Sequence, residues 1–323
     1  MTTELERVAV IAGGLSNERE VSMRSGRRAL YALSEAGVDA TLYDADESLL
    51  DRLVADRIDA AYIAVHGASG EDGSLQSALE LAGVPYVGSP AASCHLAWDK
   101  VVAKVLMSRA GLATPPWVAI SARSFRELAP AQLVRSITDQ LGLPVVVKPA
   151  TSGSTLGMSL VETAGDLPGA LVRCFTFGDV ALIERYVAGQ TIETVVVEDD
   201  ETPTALPPAA FQNPDVSPFS FEARYSADLI TVALPAPLPD DALRAAARAA
   251  ELTHQVLGLR DISRTDAIVD DDGTPWFLEA AISPGLTETS VLPLAAAEVG
   301  RPLGQLLADL LRKAHRRAGV PTA

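Results

Sequence analysis

Two acids in an otherwise apolar hairpin carry the clearest chemistry in the chain. The segment SRTDAIVDDDGTPWFLEAA, residues 263–281, sets an Asp-Gly pair between β-branched and aromatic runs, the signature of a two-residue hairpin turn. With Asp272 and Gly273 at its centre, Asp266 faces Glu279 and Arg264 faces Ala281, all on one face of the sheet. Facing carboxylates repel unless a cation lies between them, and hard oxygen donors suit Mg²⁺. Slipped by one residue, the same hairpin would turn one acid to solvent. Lys148, ending the run PVVVK, precedes the small-residue turn at Gly153, Ser154 and Thr155. Such a pair offers a point charge and exposed backbone N–H groups to a phosphate. Its order is the reverse of a Walker loop, so a Gly-rich hairpin with a surface lysine would read the same way. Glu18, at the start of the first helix, suits a charged small molecule or simply the helix dipole. His66 closes a strand, either as a structural histidine or at the functional edge of a parallel sheet.

These residues need a scaffold, and the hydrophobic periodicity supplies three blocks. Residues 1–95 alternate strand and helix, which implies a parallel sheet covered by helices. Residues 96–185 read as a small α+β unit on antiparallel strands. Residues 186–323 hold strands, a Pro-rich connection, an Ala-rich helix from Asp240 to about Gly258, the hairpin and a closing helix. A length of 323 residues suits two or three such cores. The net charge of −16 argues against a nucleic-acid or membrane-surface partner, but not against a small anion held by local lysines. No apolar run reaches membrane-spanning length and the N-terminus lacks a signal-peptide pattern, so a cytoplasmic setting is expected. Cys94 and Cys174 lack metal-ligand spacing and are expected to be reduced thiols. No G-x-G-x-x-G follows the first strand, which counts against a dinucleotide-dependent oxidoreductase.

Taken in order, GGLSNEREVSMRSG, VHGASGEDGSLQSALELAGVPYVGS, DKVVAKVLMSRAGLATPPW, PVVVKPATSGSTLGMS, FEARYS and SPGLTETSVLP resemble the D-alanine–D-alanine ligases of the ATP-grasp superfamily, over nearly the whole chain. The resemblance implies an ATP-grasp fold of three α/β domains, with ATP gripped between the central and C-terminal ones. It implies that ATP phosphorylates the carboxylate of one D-alanine. The amine of a second then attacks the acyl phosphate, for peptidoglycan precursor synthesis. By the same resemblance Lys104, Lys148 and Arg224 would contact ATP phosphates and Glu184 the adenine side. Glu18 would hold the first D-alanine's ammonium, and Arg264 with the Gly285 N–H would stabilise the oxyanion. Ser290 would bind the second carboxylate, with His66 nearby. Ser154 and Tyr225 would join Glu18 in a network that closes a loop over the acyl phosphate. Asp266 and Glu279 would hold Mg²⁺ or Mn²⁺. A homodimer is the family expectation.

The sequence also departs from the pattern. The family's metal motif is Glu-x-Asn; here it is Glu279-Ala280-Ala281, so a second Mg²⁺ loses one protein oxygen. Thr191 stands where the family has a ribose-binding glutamate, with Glu193 two residues on. Arg224 and Thr155 replace a lysine and a serine, and arginine is no equivalent of lysine at a phosphate. Two further readings follow: an ATP-grasp ligase acting on another amino acid, and a weakened homologue that binds nucleotide or D-amino acid as a regulatory module.

Overall fold

The computed structural model describes residues 5–199, 202–212 and 231–318, and it is built on three separate sheets. The first is parallel, in the order β2–β1–β3–β4, from β1 (Val8–Ala12), β2 (Ala40–Asp44), β3 (Ala60–Ile63) and β4 (Tyr86–Val87). Both faces of β1 are buried, as a β-branched run between two helical layers requires. The second sheet is antiparallel, β5–β8–β6–β7, from β5 (Trp117–Ser121), β6 (Val145–Pro149), β7 (Ser159–Val161) and β8 (Val180–Arg185). The third joins β9 (Gln190–Asp199), β10 (Thr202–Ala205), β11 (Ala209–Gln212), β12 (Thr231–Ala233), β13 (Ile262–Val269) and β14 (Pro275–Ala281). Its path runs β12–β11–β9–β13–β14, so β14 is an edge strand.

The first and third sheets share a core. Val8 and Val10 pack in one cluster with Val195, Ile262 and Leu292, together with Leu307 and Leu311 of the closing helix Leu303–Ala318. That helix is anchored where Arg317 forks onto Asp261, at 2.6 and 2.7 Å, while the Gly88 N–H donates to the same carboxylate at 2.9 Å. The fully buried Asp261 therefore ties β4, β13 and the chain's last helix together.

The hairpin carries a correction. The turn is not the expected two-residue loop on Asp272 and Gly273. Asp270 pairs with Thr274, and the Gly273 N–H donates to the Asp270 carbonyl at 3.0 Å, closing a three-residue loop. Gly273 sits at φ +78°, the left-handed residue such a loop needs. That turn sets Ala267 against Phe277, one residue out of the expected register, and a β-bulge at Leu278 then restores it. Asp266 consequently does face Glu279, and Arg264 faces Ala281. Two deviations cancel.

Candidate active site

The cleft is a space of about 810 Å³, partly open to solvent, walled by all three blocks. Glu18 and His66 come from the loops that leave β1 and β3, Gly153 and Ser154 from the turn after β6, and Arg264, Glu279, Gly285 and Ser290 from the hairpin and the loop beyond it. The sequence separates these groups by hundreds of residues, and the sheets return them to one wall.

Glu18 is the N-terminal cap of the helix Arg19–Glu35 and is 6% exposed. Ser154, at φ +53°, donates its hydroxyl to the Glu18 carboxylate. Gly67 and Gly153 crowd the same carboxylate from either side: a Cβ at Gly67 would stand 2.6 Å from its Oε2, and one at Gly153 3.1 Å. His66 is buried, with Nε2 at 2.9 Å from the Ser25 hydroxyl and Nδ1 at 3.7 Å from the Glu71 carboxylate. The Leu286 N–H donates to the same Ser25 oxygen, which links the first helix to the loop carrying Gly285 and Ser290. Ser290 caps the helix Val291–Glu298 and shares a 2.8 Å hydrogen bond with Thr287.

Beneath this wall lies a line of charge. Glu193, Asp266 and Glu279 occupy directly paired positions on β9, β13 and β14. Arg264 forks onto Asp266, with Nε at 2.6 Å and Nη2 at 2.8 Å, and lies 3.3 Å from Glu193. Burial opposes its charge, but the facing Asp266 and Glu193 carboxylates outweigh that and hold Arg264 protonated, well above its ordinary range. Among the described residues, no three acidic, histidine or cysteine side chains gather closely enough to cage a metal unaided. The donor set is two facing hard carboxylates, Asp266 and Glu279, which fits an ion such as Mg²⁺ that takes its other ligands from water and phosphate. Ala281 adds no oxygen.

A second buried group lies behind the first. Glu184 receives Lys104 on one carboxylate oxygen and Lys148, at 2.6 Å, on the other. Burial alone would push Glu184 towards the neutral acid, but the two lysines outweigh it and keep its pKa below the usual range. Burial likewise works against Lys148, and Glu184 and Glu279 reverse the balance, leaving it raised. Lys104, Lys148, Glu184 and Asp266 are thus under the cleft, not in its wall.

Sequence reasoning missed Lys100 and Glu71, which do line it. Lys100 is 3.4 Å from Glu279, donates to the Ser152 carbonyl, and lies 5.9 Å from the Trp98 ring centroid. Asp99 was the available signal. Its side chain caps the helix Lys100–Arg109 by accepting the Val101 and Val102 N–H groups, so Lys100 falls in the first turn, facing the cleft, and Lys104 one turn deeper. Thr191 lies in the ladder opposite Ile268, whereas Glu193 reaches the cleft wall. Arg224 and Tyr225 lie outside the described residues.

A parallel α/β unit joined to two antiparallel sheets, with Lys100 and Glu279 in the cleft wall and Lys148, Glu184 and Asp266 beneath it, is the arrangement of the ATP-grasp class of enzyme. The comparisons narrow this. The family model for the D-ala D-ala ligase C-terminus matches residues 106–312 and that for the N-terminus residues 50–89. A D-alanine–D-alanine ligase of Bordetella petrii is 36% identical, over 98% of this chain and 94% of its own length. That of Pelotomaculum thermopropionicum is 34% identical, over 97% and 98%. The solved D-alanine–D-alanine ligase of Bacillus anthracis, complexed with ATP, superposes with a TM-score of 0.79 at 26% identity, covering 97% of this chain and 98% of that one. The chain belongs to the D-alanine–D-alanine ligase family.

Proposed function

We propose that this protein is an ATP-dependent ligase that joins two D-alanines for peptidoglycan precursor synthesis. The observation that carries the reading is the convergence of Glu18, Arg264, Glu279, Gly285 and Ser290 on one cleft in a chain of this family. Glu18 takes the ammonium of the first amino acid and so points its carboxylate towards the phosphates. Lys100 in the wall and Lys148 beneath it offset the charge that builds up as that carboxylate attacks the γ-phosphoryl group, the bond to the β,γ-bridging oxygen breaks and ADP leaves. The amine of the second amino acid then attacks the acyl phosphate carbon, and phosphate departs. Arg264 and the Gly285 N–H receive the oxyanion, and Ser290 holds the second carboxylate. Asp266 and Glu279 would hold Mg²⁺, which supplies charge neutralisation at the phosphates when bound. A homodimer in the cytoplasm is the setting that fits this family; no helix among the described residues is long and apolar enough to cross a membrane.

The test is phosphate release from ATP with and without D-alanine, with the product identified by mass. D-alanine-dependent release yielding the dipeptide supports the reading. Release only with another amino acid moves the chain to a different substrate. Nucleotide binding without release supports a weakened homologue, the reading that Ala281 favours.

A further inference from the structure

We propose that Lys104 is a positioning residue whose buried ammonium pins the edge of β14 beside the bulge, so that Glu279 stays on the cleft face opposite Asp266. The proposal rests on the ligase reading and assigns Lys104 a different task from phosphate contact.

The register of β14 is the first observation. The three-residue turn by itself would set Leu278 against Asp266, because Ala267 already pairs with Phe277. Glu279 would then face Thr265 and point away from the cleft, since a one-residue slip moves every side chain to the other face. Only the bulge at Leu278 prevents this. A bulge on an edge strand has a ladder neighbour on one side alone, so contacts on its outer side add directly to the hold on its register.

The second observation is what holds it. The outward-facing Phe277 N–H donates to the Ala113 carbonyl at 2.8 Å. The Phe277 carbonyl accepts from Lys104 Nζ at 3.2 Å and from the Thr114 hydroxyl at 3.2 Å. Lys104 also donates to Thr114 Oγ1 at 2.6 Å and pairs with Glu184, which in turn holds Lys148. One ammonium thus fixes the residue before the bulge and, through Glu184, is tied to Lys148. Lys104 is 0% exposed, and its ammonium is engaged by Thr114, the Phe277 carbonyl and Glu184. Burial pulls its pKa down to about 8, and the opposing attraction of Glu184 does not make up the difference.

The experiment measures calorimetric binding of the β,γ-imido analogue of ATP to the full chain, with and without Mg²⁺. It uses wild type, Lys104→Met and Thr114→Val. Thr114→Val removes one donor to the Phe277 carbonyl while leaving Glu184 paired, so it remains informative if Lys104→Met fails to fold. The expected result is that the affinity gained on adding Mg²⁺ falls about tenfold in Lys104→Met and about threefold in Thr114→Val. Metal-free binding and the two D-alanine constants stay within twofold. An equal loss with and without Mg²⁺ overturns the proposal in favour of direct phosphate contact. No change in Thr114→Val overturns it in favour of a plain core residue. Wild-type protein that binds the analogue in a Mg²⁺-dependent way but never turns over D-alanine would sink the ligase reading and leave this test standing.

Discussion

The Ser154 hydroxyl donates to the carboxylate of Glu18 across 136 residues of chain, joining the turn after β6 to the first helix. Each partner is less than a tenth exposed, so the bond lies in a low-dielectric setting where a charged acceptor gains most. Ser154→Ala should therefore loosen the wall proposed to orient the first amino acid. The expected effect is a roughly 10–100-fold fall in kcat/KM, the worth of a hydrogen bond to a charged group. Steady-state kinetics with an unchanged far-UV circular dichroism spectrum would confirm it; a loss below threefold would refute it.

Ala281 faces Arg264 on the cleft side of the hairpin, at the position where the resemblance implies an asparagine. Ala281→Asn restores an oxygen two residues from Glu279, on the same face of the strand. The Mg²⁺ concentration for half-maximal activity, with ATP saturating, should fall several-fold, because one more neutral oxygen would join the two carboxylates proposed to hold the ion. Superimposable titrations of wild type and variant would show that Ala281 is irrelevant to the metal.

These two positions show how far the sequence reaches. The parallel first sheet and the hairpin were legible because periodicity and turn residues are local signals. The facing of Asp266 and Glu279 was read correctly through a wrong turn, since neither the third loop residue nor the bulge at Leu278 leaves a mark in composition. Lys100 and Lys104 stand one helical turn apart, and only the depth of the helix against β14 decides which meets the cleft. Glu71 was hidden for a similar reason: its meeting with His66 depends on a one-turn helix, Ala68–Glu71, inside a stretch that reads as loop.

His254 provides a pH signature away from the cleft. It is 2% exposed, bonded through Nδ1 to the Ser263 hydroxyl at 2.8 Å, with Glu198 at 3.9 Å from Nε2 and with Asp261 and Lys313 nearby. Burial lowers its pKa, and the attraction of Glu198 and Asp261 does not make up the difference. In the unfolded chain the imidazole takes a proton near pH 6.5, whereas the folded protein resists until a lower pH. Between those values the unfolded state binds more protons, so stability is full above about pH 6.5 and declines as the pH drops through that window. Urea midpoints at pH 7.5 and 5.5 should differ more for wild type than for His254→Gln. Equal differences would remove His254 from the account.

Gly67 tests the geometry around Glu18 most directly. Its backbone, at φ +75° and ψ −168°, occupies a region essentially closed to residues with a side chain. An alanine there costs on the order of 1–3 kcal/mol in strain. Its methyl would also stand 2.6 Å from Glu18 Oε2, so the carboxylate must move. At Gly153 the backbone is unstrained and the approach is 3.1 Å, so the carboxylate has only to give by a few tenths of an ångström. The two substitutions should therefore separate. Gly67→Ala is expected to raise the constant for the first D-alanine by more than tenfold and to lower the melting temperature. Gly153→Ala is expected to shift that constant by less and to leave the melting temperature close to wild type. The two D-alanine constants, resolved from initial rates over a wide concentration range, check the order, and a larger effect at Gly153 would mean that Glu18 is not held from the Gly67 side.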